Sequence, residues 1–307
     1  MPDVLETLQS MLTATPAVWI AFVLIVGLLV GSFLNVVIHR LPIMMEREWK
    51  SQAEEILGGD AYEPPRFEPT PEAPYNLVVP RSACPKCGAM ITAWQNIPVV
   101  SYLFLGGACA NCGTGISVRY PLIELLTGAL SAAVAWKFGP TWYCGAALLL
   151  TWALVALSAI DFDHQLLPDD ITLPLLWLGL LLSLATTNPS FGLPVSSGDS
   201  IVGAVAGYVS LWSVYKLFKW LTGKEGMGYG DFKLLAALGA WLGWQMLLVI
   251  ILISAFAGAI VGISLVAFRG RDRDIPIPFG PYLAVAGWIA LMWGDRLVAS
   301  YLHLTGL

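Results

Sequence analysis

From Trp142 to Asp170 the chain reads WYCGAALLLTWALVALSAIDFDHQLLPDD. The part up to Ile160 has no charged side chain, and its length matches the roughly 20 apolar residues with which a helix crosses the hydrocarbon core of a bilayer. The next apolar segment begins only after four carboxylates: Asp161, Asp163, Asp169 and Asp170. This stretch predicts a transmembrane helix that ends in a group of acidic residues.

The rest of the chain has the same membrane character. Hydrophobic residues make up 57% of the 307 residues and charged residues only 12%, whereas roughly a quarter of an ordinary soluble domain is charged. The apolar residues fall into eight blocks of about the length of a membrane span, at residues 17–38, 120–137, 142–160, 171–187, 199–218, 231–244, 246–267 and 281–302. The sequence therefore predicts an all-α polytopic membrane protein with about eight transmembrane helices.

The distribution of Lys and Arg predicts the orientation in the membrane. If eight spans start with the N-terminus outside, all but two of the sixteen Lys and Arg residues lie on one side, and only Lys137 and Arg296 lie on the other. Short loops rich in positive charge stay in the cytoplasm, so we expect an inner-membrane protein with a periplasmic N-terminus. The formal net charge of -5 is not gathered into a patch of one sign, and we expect no nucleic-acid partner.

A hydrophilic insert divides the predicted chain into three parts. Residues 1–40 form an N-terminal transmembrane helix, residues 41–118 a cytoplasmic insert, and residues 119–307 a seven-helix membrane core. Within the insert, residues 51–76 are rich in Glu and Pro, a composition that does not fold alone, and they are predicted to form a flexible linker. Residues 77–118 contain the cysteine motifs.

Two CxxC motifs predict a metal site in this insert. Cys84 and Cys87 form the first and Cys109 and Cys112 the second, with a glycine after each. Their separation is close to that of tetrahedral zinc sites with four thiolate ligands. Two disulfides are the alternative, but disulfides rarely persist in the reducing cytoplasm. Because four thiolates leave no open position on the metal, we expect one structural zinc ion.

The stretch between the motifs, from Ile97 to Gly107, is unusually apolar for a cytosolic zinc finger. It is either the core of the finger itself or a surface that rests on the membrane or on the helix bundle.

Two aspartates are candidates for catalysis. Asp161 continues an apolar block without a break, and Asp231 follows the glycine-rich segment GMGYG at the start of the sixth block. Ionisable residues at such positions are costly and are functional candidates by default. A helix N-cap is the structural alternative for Asp231, and the more natural interpretation of Asp169 or Asp170. Glu124 either lines the same cleft or pairs with Arg119.

The predicted topology brings Asp161 and Asp231 together, because the third span leaves the membrane on the side from which the sixth enters. Two partly buried carboxylates at one depth tend to share a proton. One can then deprotonate a water molecule that attacks a peptide carbonyl, while the other protonates the leaving amine.

With these residues placed, the chain closely resembles the bacterial type IV prepilin leader peptidase and N-methyltransferase family, a branch of the GxGD membrane aspartic proteases. The resemblance covers nearly the whole chain. It rests on GSFLNVVIHRLP at Gly31–Pro42, the two CxxC motifs, DFDHQLLPD at Asp161–Asp169, GMGYGDFK at Gly226–Lys233 and PIPFGP at Pro276–Pro281.

The resemblance implies the substrates and the second reaction. Family members remove the leader peptides of type IV prepilins and type II secretion pseudopilins at the cytoplasmic face, and methylate the new N-terminus with S-adenosylmethionine. It implies that Asp161 and Asp231 are catalytic, that the four cysteines bind zinc, and that Gly107 is linked with methyl transfer. No glycine-rich fingerprint of soluble nucleotide-binding folds is present, so the methyltransferase function rests on the resemblance.

Two other functional classes compete with a peptidase. A transporter would have ionisable residues near the middle of the membrane and broken helices in matched halves, and neither is evident. A membrane-anchored zinc module that only binds partners would leave the paired aspartates unexplained.

Overall fold

The computed structural model describes residues 15–57, 74–185, 193–224, 226–269 and 278–305. Within these ranges the chain is mostly helical, and β-structure is limited to two isolated bridges in the cysteine insert. The described α-helices are α1 (Pro16–Leu57), α2 (Val100–Phe104), α3 (Arg119–Phe138), α4 (Trp142–His164), α5 (Asp169–Leu184), α6 (Ser197–Thr222), α7 (Tyr229–Leu242), α8 (Leu247–Arg269) and α9 (Gly280–Thr305).

Each of the eight apolar blocks lies on a helix, which confirms the all-α membrane class. Six described helices, α1, α3, α4, α6, α8 and α9, are long and apolar enough to cross a membrane. Helices α5 and α7 have 16 and 14 residues, so they measure about 24 and 21 Å, less than the roughly 30 Å of a hydrocarbon core. The predicted number of eight spans is therefore not confirmed.

Helix α1 is longer than expected. The first apolar block ends near residue 38, but the helix continues past Pro42 to Leu57. Residues 51–57, which were expected to begin the linker, are therefore helical. Residues 58–73, most of the remaining predicted linker, lie outside the described residues.

Contacts group the described residues into two compact units, one within Met1–Phe22 and Ser131–Leu307 and one within Val23–Leu130. The predicted domain boundaries after residues 40 and 118 stay a prediction.

The larger unit is built around α7, which packs against α5, α6, α8 and α9. From Asp231 to Trp241 nearly every side chain of α7 is buried. The Trp241 indole donates a hydrogen bond of 2.8 Å to the carbonyl of Leu175, and Ser200 Oγ donates one of 2.6 Å to the carbonyl of Ala240. Protein rather than lipid therefore surrounds this short helix.

Small residues allow α6 and α7 to approach closely. A Cβ atom added to Gly207 would lie 2.6 Å from the carbonyl oxygen of Leu235, and one added to Gly203 would clash with the backbone of Gly239. Two glycines four residues apart form the small-xxx-small pattern of close helix pairs in membranes. This packing fixes α7, and with it Asp231, against α6.

In the smaller unit, α1 packs on α3 and carries the insert. Asn35 Nδ2 donates a hydrogen bond of 3.1 Å to the carbonyl of Tyr120. The buried guanidinium of Arg40 donates to the carbonyls of Asn76, at 2.9 Å, and Pro80, at 2.6 Å. Charged donors make strong hydrogen bonds, so Arg40 holds residues 76–80 of the insert against α1.

Candidate functional site

Asp161 lies in the last turn of α4, which ends at His164 and is followed by Gln165 in a left-handed conformation. The side chain of Asp161 is only 5% exposed, whereas Asp163, Asp169 and Asp170 are all exposed. Of the four carboxylates that follow the third apolar block, Asp161 is thus the one withdrawn from solvent.

A backbone donor from a distant helix contacts Asp161. The N–H of Gly280, the first residue of α9, donates a hydrogen bond of 2.9 Å to Asp161 Oδ2. The N-terminus of a helix carries a partial positive charge, which favours a carboxylate at this position. A Cβ atom on residue 280 would lie 2.6 Å from the same oxygen, so the contact requires glycine.

Asp231 occupies the third position of α7, where its side chain is 7% exposed. The N-cap of this helix is Gly228, so Asp231 is not the N-cap residue that the structural alternative required. Instead, its carboxylate receives a backbone hydrogen bond from Gly228. The carboxylate of Asp231, directly after the glycine-rich segment, is therefore buried in the first turn of α7.

Asp161 and Asp231 lie close enough for their charges to interact. Both are buried, and the repulsion between two carboxylates disfavours the state in which both are ionised. Leu167, from the segment between α4 and α5, packs against the backbones that carry them. A Cβ atom on Gly230 would lie 2.7 Å from Leu167 Cβ, and one on Gly280 would lie 3.1 Å from Leu167 Cδ2. Both glycines are therefore needed for this close packing.

Lys233, two residues after Asp231, forms an ion pair with Asp169. Lys233 Nζ lies 2.7 Å from both Oδ1 and Oδ2 of Asp169, which joins the N-terminal parts of α7 and α5. Asp169 is therefore a partner of Lys233 rather than a helix N-cap, a position that Pro168 occupies. The ammonium group is held by Asp169, so Lys233 is an anchor between two helices.

The four cysteine thiols converge in the insert. The Sγ atoms of Cys84, Cys87, Cys109 and Cys112 all lie within 4.8 Å of one another, and the separations are 3.8 Å for Cys84–Cys112 and 4.0 Å for Cys87–Cys109. A tetrahedral ion with metal–sulfur bonds of about 2.3 Å separates its ligands by about 3.8 Å. Sulfur atoms in a disulfide are only about 2.05 Å apart. The cluster thus fits a metal ion and not two disulfides.

The two motifs have matching backbone structures. The N–H of Cys84 donates to Ala89 and that of Gly88 to Cys84, and the second motif repeats both bonds with Cys109, Thr114 and Gly113. Gly88 and Gly113 adopt φ values of 70° and 68°, which glycine accepts without strain. Each glycine therefore closes the turn of its motif.

Nearby polar groups favour the thiolate form at two of the four cysteines, Cys87 and Cys112. The Thr114 hydroxyl, 3.2 Å from Cys112 Sγ, lowers the pKa of that thiol to about 6. The Asn111 amide donates to Cys87 Sγ at 3.5 Å and lowers its pKa as well. Thiolates are the form that binds metal.

Gly107 lies in a tight turn of the insert. Its φ is 69°, its N–H donates to the carbonyl of Tyr102, and its carbonyl accepts from Ile116. A Cβ atom at position 107 would lie 2.9 Å from Tyr102 Oη and 3.0 Å from Tyr102 Cζ. A side chain at this position would therefore displace the tyrosine ring.

Glu124 is buried in α3, and its Oε2 accepts a hydrogen bond of 2.7 Å from the backbone N–H of Val99. Neither of the two interpretations of Glu124 from the sequence included this contact. It links the apolar stretch between the cysteine motifs to α3.

Comparison with known proteins places the chain in a family. Residues 25–138 match the model of the bacterial peptidase A24 N-terminal domain, and residues 148–263 match that of the type IV leader peptidase family. No solved structure matches the chain significantly.

Curated relatives match along nearly the whole length. A prepilin leader peptidase/N-methyltransferase of Pseudomonas aeruginosa is 57% identical over 97% of this chain and 99% of its own. A protein with the same name from Aeromonas hydrophila is 57% identical over 94% of this chain and 95% of its own. Another, from Dichelobacter nodosus, is 50% identical over 94% of this chain and 96% of its own. The chain is therefore a multi-pass membrane protein that belongs to the type IV leader peptidase family.

Proposed function

We propose that this chain is an aspartic endopeptidase that removes the leader peptides of type IV prepilins and type II secretion pseudopilins, and then N-methylates the new N-terminal residue. The observation that carries the peptidase half is the pair of buried, interacting carboxylates at the last turn of α4 and the first turn of α7, Asp161 and Asp231. The name shared by its relatives, prepilin leader peptidase/N-methyltransferase, supports both halves.

Hydrolysis uses the two aspartates as base and acid. With one proton between them, the ionised carboxylate takes a proton from water, and the resulting hydroxide attacks the carbonyl carbon of the scissile bond. The protonated carboxyl polarises that carbonyl and gives its proton to the leaving nitrogen. The Gly280 N–H holds Oδ2 of Asp161, so Oδ1 is the oxygen that exchanges a proton with water or substrate.

The position of the aspartates suits a substrate that is itself anchored in the membrane. Both lie at helix ends rather than at mid-helix, where a peptide bond just outside an apolar substrate helix can reach them. The location of most Lys and Arg residues supports a cytoplasmic active site and a periplasmic N-terminus in the inner membrane. The exposed apolar side chains of the long helices support the lipid bilayer as their solvent.

The cysteine cluster is proposed to bind one structural zinc ion. Four thiolates at tetrahedral spacing fit zinc in ligand type and geometry. With all four positions filled by protein, the ion would hold the two CxxC motifs together and leave catalysis to the aspartates.

For methyl transfer, S-adenosylmethionine is the proposed methyl donor. Gly107 is assigned to this half of the function on the family resemblance, and its packing supports a requirement for glycine. A side chain here would be strained by the left-handed backbone and would displace the Tyr102 ring. Position 107 thus supports this reaction by maintaining the fold of the insert next to the second CxxC motif.

Mass spectrometry of a prepilin peptide incubated with the detergent-solubilised protein tests both halves. Cleavage should release the leader without added cofactor, and S-adenosylmethionine should add the mass of one methyl group to the mature product only. An intact peptide under both conditions would refute the proposal.

A further inference from the structure

The insert contains a long stretch without charge. From Gly88 to Ala108, between the two CxxC motifs, there is no Asp, Glu, Lys or Arg, and the nearest such residues are Lys86 and Arg119. Roughly a quarter of the residues in an ordinary soluble domain are charged, so a segment outside the long helices is unusual in lacking them altogether. Absence of charge is a property of surfaces that meet lipid.

The apolar side chains of this stretch point outward. Trp94, Leu103 and Phe104 are 81%, 72% and 87% exposed, and Ile97 and Val100 are 36% and 45% exposed. Val100, Leu103 and Phe104 lie three and four residues apart and share one face of α2. These side chains are therefore not the core of the cysteine insert, which was one of the two interpretations of this segment.

The buried carboxylate of Glu124 fixes the position of this segment along α3. Val99, immediately before α2, has a φ of 59°, and a β-branched residue keeps this conformation only when its surroundings fix it. Its N–H donates a hydrogen bond of 2.7 Å to Glu124 Oε2, and its carbonyl accepts one from Leu103. Glu124 lies five residues after Arg119, the first residue of α3, or about 8 Å further along the helix axis. Its side chain leans back toward the N-terminus, which places Val99 near the N-terminal end of α3.

We propose that residues 94–104, here called the interfacial loop, insert into the headgroup and upper acyl region of the bilayer beside α3. Helix α3 presents exposed apolar side chains on the turns that Val99 contacts: Leu122, at 60%, Leu125, at 50%, and Leu126, at 48%. These side chains face lipid if α3 spans the membrane, and Glu124, on the buried face of the same turns, ties the interfacial loop to this helix. Trp94 is of the residue type enriched at the membrane–water interface.

This placement gives Glu124 a positioning role. Its carboxylate anchors the interfacial loop to a membrane helix, so the cysteine cluster is held at the bilayer surface and does not move freely in solution. Two occupants other than lipid, a second copy of this chain or the apolar helix of a prepilin, are distinguished by the experiment.

A fluorescent amino acid at position 104 tests the proposal in the full-length protein. The labelled protein is reconstituted into vesicles of phosphatidylcholine that is brominated near the headgroup end of its acyl chains. The same label at position 125, on α3, is the lipid-facing reference, and at position 110, an exposed alanine of the second CxxC motif, the aqueous control. The same label at position 103 shows whether the result at position 104 is caused by the label itself.

If the interfacial loop inserts, bromine quenches the labels at 103 and 104 about as strongly as at 125, and at least about threefold more than at 110, whereas aqueous iodide shows the reverse order. Quenching at 103 and 104 no stronger than at 110 would overturn the proposal. Protection from iodide that requires high protein density or added prepilin, without quenching by bromine, would also overturn it, in favour of a second copy or the substrate.

Discussion

The backbone N–H of Gly280 donates a hydrogen bond of 2.9 Å to Asp161 Oδ2, and so joins the first residue of α9 to the last turn of α4. The two residues are separated by 119 positions in sequence. Because the donor is a backbone group on a rigid helix, it sets the orientation of the carboxylate with little freedom. The proposed catalytic chemistry depends on this orientation.

Gly280→Ala should therefore reduce prepilin cleavage. The added methyl group would lie 2.6 Å from Asp161 Oδ2, so the carboxylate must move, and a displacement of about 1 Å can cost roughly 10²-fold in rate. The rate of leader release, measured by mass spectrometry at saturating peptide, checks this. Gly145→Ala in α4 is the matched control, since a Cβ atom there meets nothing within 4 Å. Equal rates for both variants would contradict the role of Gly280.

Cys84→Ser should lower bound zinc from about one ion per chain toward none, because three thiolates do not complete a structural tetrahedral site. Elemental analysis of the purified protein by mass spectrometry gives the stoichiometry. Cys144→Ala removes a buried cysteine of α4 that lies outside the cluster and should keep the full zinc content. A Cys84→Ser protein with undiminished zinc would rule out the site.

Gly107→Ala should impair methyl transfer and leave leader cleavage largely intact. The new side chain must push aside the Tyr102 ring and must also adopt a left-handed backbone, at a cost of about 1–2 kcal/mol. Gly106→Ala separates the two effects, because Gly106 has a φ of 59° but no neighbour within 4 Å of its Cβ position. Incorporation of labelled methyl groups into a pre-cleaved pilin peptide measures the outcome. If Gly106→Ala loses as much methyl transfer as Gly107→Ala, the Tyr102 contact is not the cause.

Gly207→Ala should destabilise the helix bundle. The methyl group would lie 2.6 Å from the backbone oxygen of Leu235 in α7, and overpacking of this kind typically costs about 1–3 kcal/mol. The melting temperature in detergent should fall. Gly198→Ala near the start of the same helix has only a 3.8 Å contact with Ser196 Oγ and should melt near the wild-type temperature. An unchanged melting temperature for Gly207→Ala would show that α6 and α7 are less closely packed.

The apolar blocks predicted where helices occur, but not how many of them cross the membrane. Block 231–244 is as apolar as a span, and in the structure its helix α7 is surrounded by α5, α6, α8 and α9. Lipid and protein interior are equally apolar, so hydropathy does not distinguish a helix buried in the bundle from one that faces lipid. Length was the available signal, and this block was the shortest of the eight.

The two aspartates and four cysteines could be selected from sequence because carboxylates and thiols are the groups that the proposed hydrolysis and metal binding require. Three other residues could not be selected in this way. Gly280 contributes a backbone N–H, Leu167 contributes close packing, and Val99 contributes a backbone conformation. These features form only when segments distant in sequence come together. The PIPFGP motif marked the position of Gly280 without indicating its partner. Lys233 ends the GMGYGDFK motif, but its ion pair with Asp169 depends on the approach of α5 to α7.

The most direct measurement is the rate of leader cleavage by purified Asp161→Asn and Asp231→Asn proteins, with Asp163→Asn as the matched control. Amides do not exchange protons as carboxyl groups do, so each single variant should lose roughly 10²–10⁴-fold or more in rate, while the exposed Asp163 should be dispensable. Methylation of a pre-cleaved peptide should survive in both variants and show that they remain folded. Wild-type cleavage by either Asp161→Asn or Asp231→Asn would contradict the paired-carboxylate mechanism.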